Sequence, residues 1–273
     1  MTTAQKVIKY IATAFAAFLI ITIISAVLSG IYALLSAFGL IHTNKNIISD
    51  NLNVISSDIK EISSLQLDLA FTNLTIQVGD SFKVETNNPK ISIKNDNGNV
   101  KIKEEHYNWL SNNSSTSNLI ICIPEDMKIL DEAKVTTGAG NINIENLNTQ
   151  CLDLELGAGE VNINNLTVTK DAKIDGGVGK TSLHTCEINN LKANLEMGEF
   201  TFRGQLTGKS KIDSGIGAVN IDLMDNKSNY TIDISKGLGN VTIDGQKVET
   251  DRVYGSGLNY LEVNGGIGEI KIN

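Results

Sequence analysis

A short phrase built around Gly-x-Gly recurs along the second half of this 273-residue chain and constrains its fold more than any other feature. Six copies keep both glycines, and a seventh, around Gly198, fits if its turn is two residues shorter. The last glycine of each copy is Gly140, Gly159, Gly179, Gly198, Gly217, Gly239 or Gly268. Five of the intervals are 19 to 22 residues, and the last is longer because of an insertion around residues 248–258. A fixed period near twenty residues predicts stacked structural repeats.

Apolar residues recur at fixed offsets from each turn glycine. Two and four residues after Gly159 are Val161 and Ile163, and five residues before it is Leu154. The other copies repeat these positions. In the copy around Gly198, whose turn is gapped, Leu195 fills the position before the turn. Spacing of two, with polar residues between, is typical of half-buried strands rather than helices. Each repeat is therefore predicted to be a strand, a glycine turn, a second strand and a second bend.

One such unit cannot bury its apolar side alone, whereas stacked units bury it against their neighbours. The sequence therefore predicts an all-β fold, a β-solenoid of coils about twenty residues long over residues 134–273. A two-sheet antiparallel sandwich is the alternative, because its turns also recur every 8–12 residues. The match of apolar columns across seven repeats favours the solenoid.

A long apolar segment precedes this part of the chain. Between residues 7 and 41 the only charged residue is Lys9. A run well above 18 residues predicts a single transmembrane helix, and it is too long for the apolar region of a cleaved signal peptide. Lys6, just before the run, and Lys9, near its start, slightly favour a cytoplasmic N-terminus of residues 1–6, which would put the β domain outside the cytoplasm. Localisation is thus predicted as the cell membrane, single-pass.

Two further regions separate this segment from the repeats. Residues 42–61 are polar with scattered Ile and Leu, and are interpreted as a linker or short juxtamembrane helix. Residues 62–133 alternate with period two between turn signals such as Asn97-Gly98, which predicts an N-terminal β region that caps the stack.

Charge and composition exclude some partners. The first 45 residues hold three lysines and no acidic residue, so the remainder carries 20 basic and 31 acidic residues, a net charge of −11. Such a domain is not expected to bind nucleic acid by charge. Aromatic residues make up only 5% of the chain, which also argues against a base-stacking surface.

The stretch from Leu119 to Leu147 resembles a bacterial family of β-strand-repeat putative adhesins, domains of unknown function. The features that match are the strand ending at Ile123-Pro124, the acidic Glu125-Asp126, and the turn that ends at Gly140, followed by the later glycine turns. The resemblance covers about residues 60–273. It implies the stacked β fold and a place at the cell envelope, often behind a membrane helix, and it provides no catalytic residues.

Residues 175–181, Asp-Gly-Gly-Val-Gly-Lys-Thr, resemble a variant phosphate loop. Such a loop needs a helix after it, so that helix N–H groups face the phosphate. Here the strand pattern continues through Leu183, and Asp175 would repel a phosphate. The motif is therefore interpreted as a repeat turn, and no nucleotide or other cofactor is predicted.

Carboxylates just before the turns form a second candidate site. If the coils stack in register, four of them lie on consecutive rungs, namely Glu155, Asp175, Glu196 and Asp213. They could bind Ca²⁺ weakly, because it prefers oxygen ligands. A solvated acidic face is the simpler interpretation.

Other chemistry has weak support in the sequence. Paired carboxylates also occur in glycoside hydrolases, but those need a defined separation and a cleft. Cys122, Cys151 and Cys186 have no metal-binding spacing and are interpreted as buried free thiols. The three histidines are scattered.

The sequence therefore predicts a non-enzymatic, membrane-anchored protein with an adhesin-like contact or scaffolding role at the envelope. Its partners would be the membrane and an envelope protein or wall component. The alternative is a binding component of an envelope-stress module, and a polysaccharide-active enzyme is third.

Overall fold

The computed structural model describes residues 51–57, 59, 61–105, 116–127 and 129–273. The apolar segment 7–41 and most of the 42–61 region lie outside these residues. Among the residues that are described, no helix is both long enough and apolar enough to cross a membrane.

The described chain is all-β, as predicted, with one short 3-10 turn at Lys227–Asn229. Its strands join into a single sheet of 17 strands. The strands are β1 (Asn53–Ser57), β2 (Ser64–Leu69), β3 (Thr72–Gly79), β4 (Lys83–Thr86), β5 (Ile91–Asp96), β6 (Asn99–Glu104), β7 (Ser117–Pro124), β8 (Leu130–Ala139), β9 (Ile142–Asn189), β10 (Leu191–Thr207), β11 (Lys209–Leu223), β12 (Tyr230–Leu238), β13 (Val241–Ile243), β14 (Gln246–Lys247), β15 (Arg252–Gly255), β16 (Asn259–Ile267) and β17 (Ile270–Ile272).

Successive repeats pair in parallel and in register, so the sheet winds into stacked coils. β8 pairs with β9, β9 with β10, and β10 with β11. This register agrees with the predicted stack and is incompatible with an antiparallel sandwich. β9 is 48 residues long because its backbone hydrogen bonds continue through the corners of successive coils.

Each coil has three sides that point apolar residues into one core. The coil with its turn at Gly159 contributes Leu152 and Leu154 before the turn and Val161 and Ile163 after it, all buried. Beyond the second bend, at Asn165, a third side adds Leu166 and Val168, also buried. The alternation of inward and outward residues on each side follows from the two-residue period of a strand.

Close stacking explains the turn glycines. All seven have φ between 128° and 147°, a conformation that L side chains rarely adopt. A Cβ on Gly198 would also overlap the backbone carbonyl of Gly179 in the coil beside it.

The coil with its turn at Gly198 is not shortened, in contrast to the sequence alignment. Gly198 pairs with Gly179 and Gly217, and Ala193 pairs with Ile174 and Ile212 in the core. Ala193 is therefore the core residue, and Leu195 is only partly buried. The same coil contains Phe200 and Phe202, whose bulk compensates for the small Ala193.

The coils do not stack in chain order at either end. At the C-terminal end, β16 pairs with both β11 and β12, so the last coil of the chain is inserted between two earlier ones. At the N-terminal end, β2 pairs with both β6 and β8. The outermost coils are thus β6–β7 and β12–β13. Antiparallel strands flank both of them: β4 and β5 at one end, β14 and β15 at the other.

The region upstream of residue 134 is more regular than the sequence suggested. β2 and β3 form a full coil in parallel register with β8 and β9, so the repeats begin inside the predicted 62–133 cap. Residues 53–57, assigned to the linker, form β1, which pairs antiparallel with β4.

Candidate contact surface

The outward positions before the turns form a polar ladder rather than an acidic column. Four residues before the turn glycine, the register aligns Asp175, Asn194, Asp213 and Asn264 on successive coils. Glu196, placed in this column by the gapped alignment, lies two positions further on, where it aligns with glycines. Because the coil keeps its full length, Asn194 occupies the rung that was assigned to Glu196.

Lysines on the neighbouring outward column neutralise much of the ladder. Lys134 Nζ lies 2.7 Å from an Asp153 carboxylate oxygen and 2.8 Å from Glu155 Oε1. Lys211 Nζ lies 2.7 Å from Glu262 Oε1 and 3.5 Å from Asp213 Oδ1. A lysine therefore has the screening role that a bound cation would otherwise have on these rungs.

These contacts shift the ladder's pKa values in the directions expected of ion pairs. The hydrogen bond from Lys134 holds the pKa of Glu155 below its usual value. Hydrogen bonds from Lys173 and Asn194, the latter 2.6 Å long, lower the pKa of Asp175 in the same way. Within the described part of the chain, no group of three or more His, Cys, Asp or Glu side chains is arranged to hold a metal ion.

The phosphate-loop-like segment is part of a strand. Residues 175–181 lie within β9, which continues beyond Thr181 as a strand where a phosphate site would need a helix. Thr181 and Leu183 are buried in the core. The Lys180 ammonium lies 3.5 Å from a Glu199 carboxylate oxygen on the next coil. The interpretation of this motif as a repeat turn is confirmed.

An exposed apolar ridge lies along the turns themselves. The residue just before the turn glycine is apolar in all seven glycine-turn coils, and Phe71 occupies the equivalent position on the β2–β3 coil, as the pairing of β2 with β8 shows. The two alanines aside, the side chains are 47% to 68% exposed. In spatial order the ridge consists of Phe71, Ala139, Ala158, Val178, Met197, Ile216, Ile267 and Leu238.

The ridge was not identified from the sequence, although the signal is present there. The middle residue of each Gly-x-Gly turn is Ala, Val, Ile or Leu, whereas an exposed turn apex is ordinarily polar. Eight coils at a strand spacing of about 4.8 Å give the ridge a length of roughly 34 Å. Contiguous exposed apolar surface of this kind marks interaction sites in soluble domains.

The three cysteines are free thiols, but they are not equally buried. Cys186 lies in the core, and burial raises the pKa of its thiol to about 11. Cys122 and Cys151 are only partly buried, in contrast to the prediction that all three are buried. A thiol that stays protonated at neutral pH is a poor nucleophile, so Cys186 is a packing residue.

Comparison with solved structures gives low-scoring matches over most of the chain. A structure described as a putative cell adhesion protein from Clostridium sporogenes is 20% identical, with a TM-score of 0.35, over 81% of this chain and 97% of that one. A putative adhesin from Parabacteroides merdae is 11% identical, with a TM-score of 0.38, over 82% and 95%. A structure from Parabacteroides distasonis, described as a putative lipid binding protein, is 14% identical, with a TM-score of 0.35, over 82% and 96%.

One curated relative also matches. It is an uncharacterized lipoprotein of Treponema pallidum (strain Nichols), 25% identical over 129 residues, which are 47% of this chain. The match spans 38% of that lipoprotein.

The family comparison covers far more of the chain. The profile of the family described as Toastrack DUF4097 matches residues 49–272, which include all 17 strands. This confirms the resemblance to a β-strand-repeat family of unknown function, and the chain belongs to the Toastrack DUF4097 family.

Proposed function

We propose that this protein is a non-enzymatic, membrane-anchored β-solenoid that works by contact at the cell envelope, outside the cytoplasm. The observation that carries the contact role is the apolar ridge, which runs along eight stacked coils and has large exposed side chains on six of them. A stack whose coils share one core presents such a ridge as one continuous edge of fixed shape. Rigid presentation reduces the entropy that a binding surface loses on association.

The location rests on the residues before the stack. The apolar run 7–41 is long enough to span a bilayer, and the lysines at its N-terminal end favour a cytoplasmic N-terminus. The similarity to a Treponema lipoprotein supports a place at the membrane. β1, the first strand after this run, pairs with β4 at the β6–β7 end of the stack. β1 thus lies at one end of the stack, and the ridge extends away from that end.

The ladder supports a structural rather than a catalytic role for its carboxylates. Hydrolysis of a glycoside needs one carboxyl group with a raised pKa opposite a second one. Glu155, Asp175 and Glu262 instead have pKa values held below the usual range by lysine and asparagine partners. Side chains held ionised by ion pairs suit a solvated, charge-balanced face.

The location is tested by adding protease to intact cells that produce the full chain with a C-terminal epitope. The expected result is loss of the epitope and a small membrane-bound stub. Protection of the epitope until the cells are lysed would reverse the orientation.

The contact role is tested with a photoreactive amino acid at Ile216, on the ridge, and at Leu258, which is 99% exposed and outside the ridge column. Irradiation of cells should give defined adducts from position 216 and not from position 258. Equal labelling at both positions, or none at position 216, would overturn the contact role. An adduct with a single membrane protein other than this chain would favour the alternative, a binding component of an envelope-stress module, whereas wall material would favour adhesion or scaffolding.

A further inference from the structure

We propose that the ridge binds a second copy of this chain, with the two stacks parallel and each ridge seated in a groove of the other. The inference rests on the proposed contact role and names the partner of the ridge.

A groove lies directly beside the ridge. It is shallow and open, has a volume of about 440 Å³, and runs over three coils, where its lining includes Leu195, Ser214 and Gly265, three positions before the turn glycines. Between this groove and the ridge is a column that is glycine on six coils, because a Cβ there would meet the backbone of the neighbouring coil. On the glycine-turn coils, stacking thus leaves a strip between the groove and the ridge that has a side chain only at Glu196.

Only one alignment makes this surface self-complementary. When two copies are related by a two-fold axis parallel to the stack, the ridge of each faces the groove of the other, and both contacts form together. A two-fold axis perpendicular to the stack instead sets ridge against ridge and groove against groove, so neither ridge is seated. The parallel alignment also puts the β1 ends of both copies on the same side, which suits two chains anchored in one membrane.

Area and charge also favour a second copy over a lipid surface. The ridge is roughly 34 Å long, a length on the scale of interfaces that bury roughly 800 Å² per partner. The column immediately after the turn glycines contains Glu160, Glu199 and Glu269 and one lysine, Lys180, so its net charge of −2 disfavours an anionic bilayer. On the groove side the ladder's carboxylates are paired with lysines of their own copy.

Glu196 provides a specific prediction. It is the only charged residue in the column between groove and ridge, and this column lies on the proposed axis. Two copies would therefore face each other with like charges at this rung, which weakens association. Glu196→Gln removes the repulsion and should strengthen the dimer, whereas Ile216→Glu should weaken it.

The experiment is cysteine cross-linking of the full chain in native membranes with a short bismaleimide. Leu238→Cys, at the far end of the ridge, should cross-link to itself, and so should Val178→Cys. Adding Ile216→Glu should lower the cross-linked fraction at least about tenfold, since a charge would have to be buried. Glu196→Gln should raise it. Leu258→Cys is the matched exposed control, and the wild-type chain, with its own three cysteines, is the blank.

Several results would overturn the inference. Cross-linking of Leu238→Cys only to a co-expressed Phe71→Cys chain, at the opposite end of the ridge, would show an antiparallel pair. Absence of any dimer band above the blank would show that no second copy is bound. If adducts from position 216 then have the mass of another protein, the contact role survives and this partner is refuted. Loss of adducts altogether would refute both.

Discussion

Thr185 lies in a conformation that its side chain disfavours, and replacing it should stabilise the protein. Asn146 and Asn165 occupy the second bend of the two preceding coils with φ of 55°, and Thr185 occupies the same bend with the same φ. Asparagine tolerates the left-handed region, whereas a β-branched residue is a clear outlier there. Thr185 is exposed, so the substitution leaves the core unchanged.

The magnitude follows from this backbone angle. A left-handed conformation costs an ordinary L-residue about 1–2 kcal/mol, and asparagine avoids part of that cost. Thr185→Asn should therefore raise the free energy of unfolding by about 1 kcal/mol, or the midpoint temperature by roughly 2–4 °C for a domain of this size. Thr185→Gly removes the strain more fully, but glycine adds about 0.5–1 kcal/mol of unfolded-state entropy, so its net gain should be smaller.

The assay is thermal and urea unfolding of residues 47–273, which leave out the apolar segment, followed by circular dichroism. Thr169→Asn is the matched control, because Thr169 is also exposed but does not have a positive φ. It should change stability by no more than about 0.5 kcal/mol. If Thr185→Asn were neutral or destabilising, the bend would not be strained and the argument would fail.

Three further outcomes follow from buried and paired groups. The Glu104 carboxylate accepts hydrogen bonds from the backbone N–H groups of Ala70 and Phe71 and from the side-chain amide of Asn88. Glu104→Gln should therefore lower the free energy of unfolding, measured with urea, by about 2 kcal/mol. Adding Asn88→Asp should restore part of the loss, because it exchanges donor and acceptor. The pKa of Glu155 is lowered in the folded protein, so the stability that this carboxylate contributes is present above its unfolded pKa and is lost as the pH falls through its folded pKa. Lys134→Met removes the main cause of the shift. The free energy of unfolding of this variant should therefore fall less below about pH 5, by up to about 1 kcal/mol. Cys186 should resist maleimide labelling in the native protein and react after unfolding, as followed by peptide mass spectrometry, and rapid native labelling would contradict its burial.

The sequence predicted the inside of each coil well because local rules determine it. Period-two alternation decides which residues face inward, and the buried pair Val161 and Ile163 confirms this for one coil. The backbone angles of Gly159 and Asn165 were predictable for the same reason, since few residue types tolerate positive φ.

The coil around Gly198 shows where pattern matching fails. The alignment sought a large apolar residue at every core position and therefore chose Leu195, with a shortened turn. The structure keeps the turn and buries Ala193 instead, because a core fills a total volume and not a fixed residue at each site. The prediction that Glu196 aligns with Asp175 and Asp213 was wrong for the same reason, because it assumed the shortened turn.

The order of the coils at the ends could not be predicted, because the apolar columns of every coil match those of every other. Chain order is then decided by the long connection, residues 244–258, and by the need to protect an edge. A parallel stack that simply stopped would expose a row of unpaired backbone groups. Here the chain forms the outer β12–β13 coil first, lays β14 and β15 against it in antiparallel fashion, and only then returns to fill the inner position with β16 and β17.

This order predicts an unusual response to truncation. In a stack that followed chain order, deleting the last 15 residues would remove one terminal coil and one interface between coils. In this protein, residues 259–273 lie between β11 and β12, so their deletion removes two interfaces and separates the outer coil from the core. Hydrogen exchange of the truncated chain should show loss of protection throughout β12 and β15, while β9 and β10 stay protected. Truncation before β12 is the control, because it removes the outer coil as well as residues 259–273. The stack that remains should be at least as stable as the chain that lacks only residues 259–273. Retained protection of β12 after loss of residues 259–273 would show that the outer coil docks without its inner neighbour, and the inserted order would then not be what holds this end together.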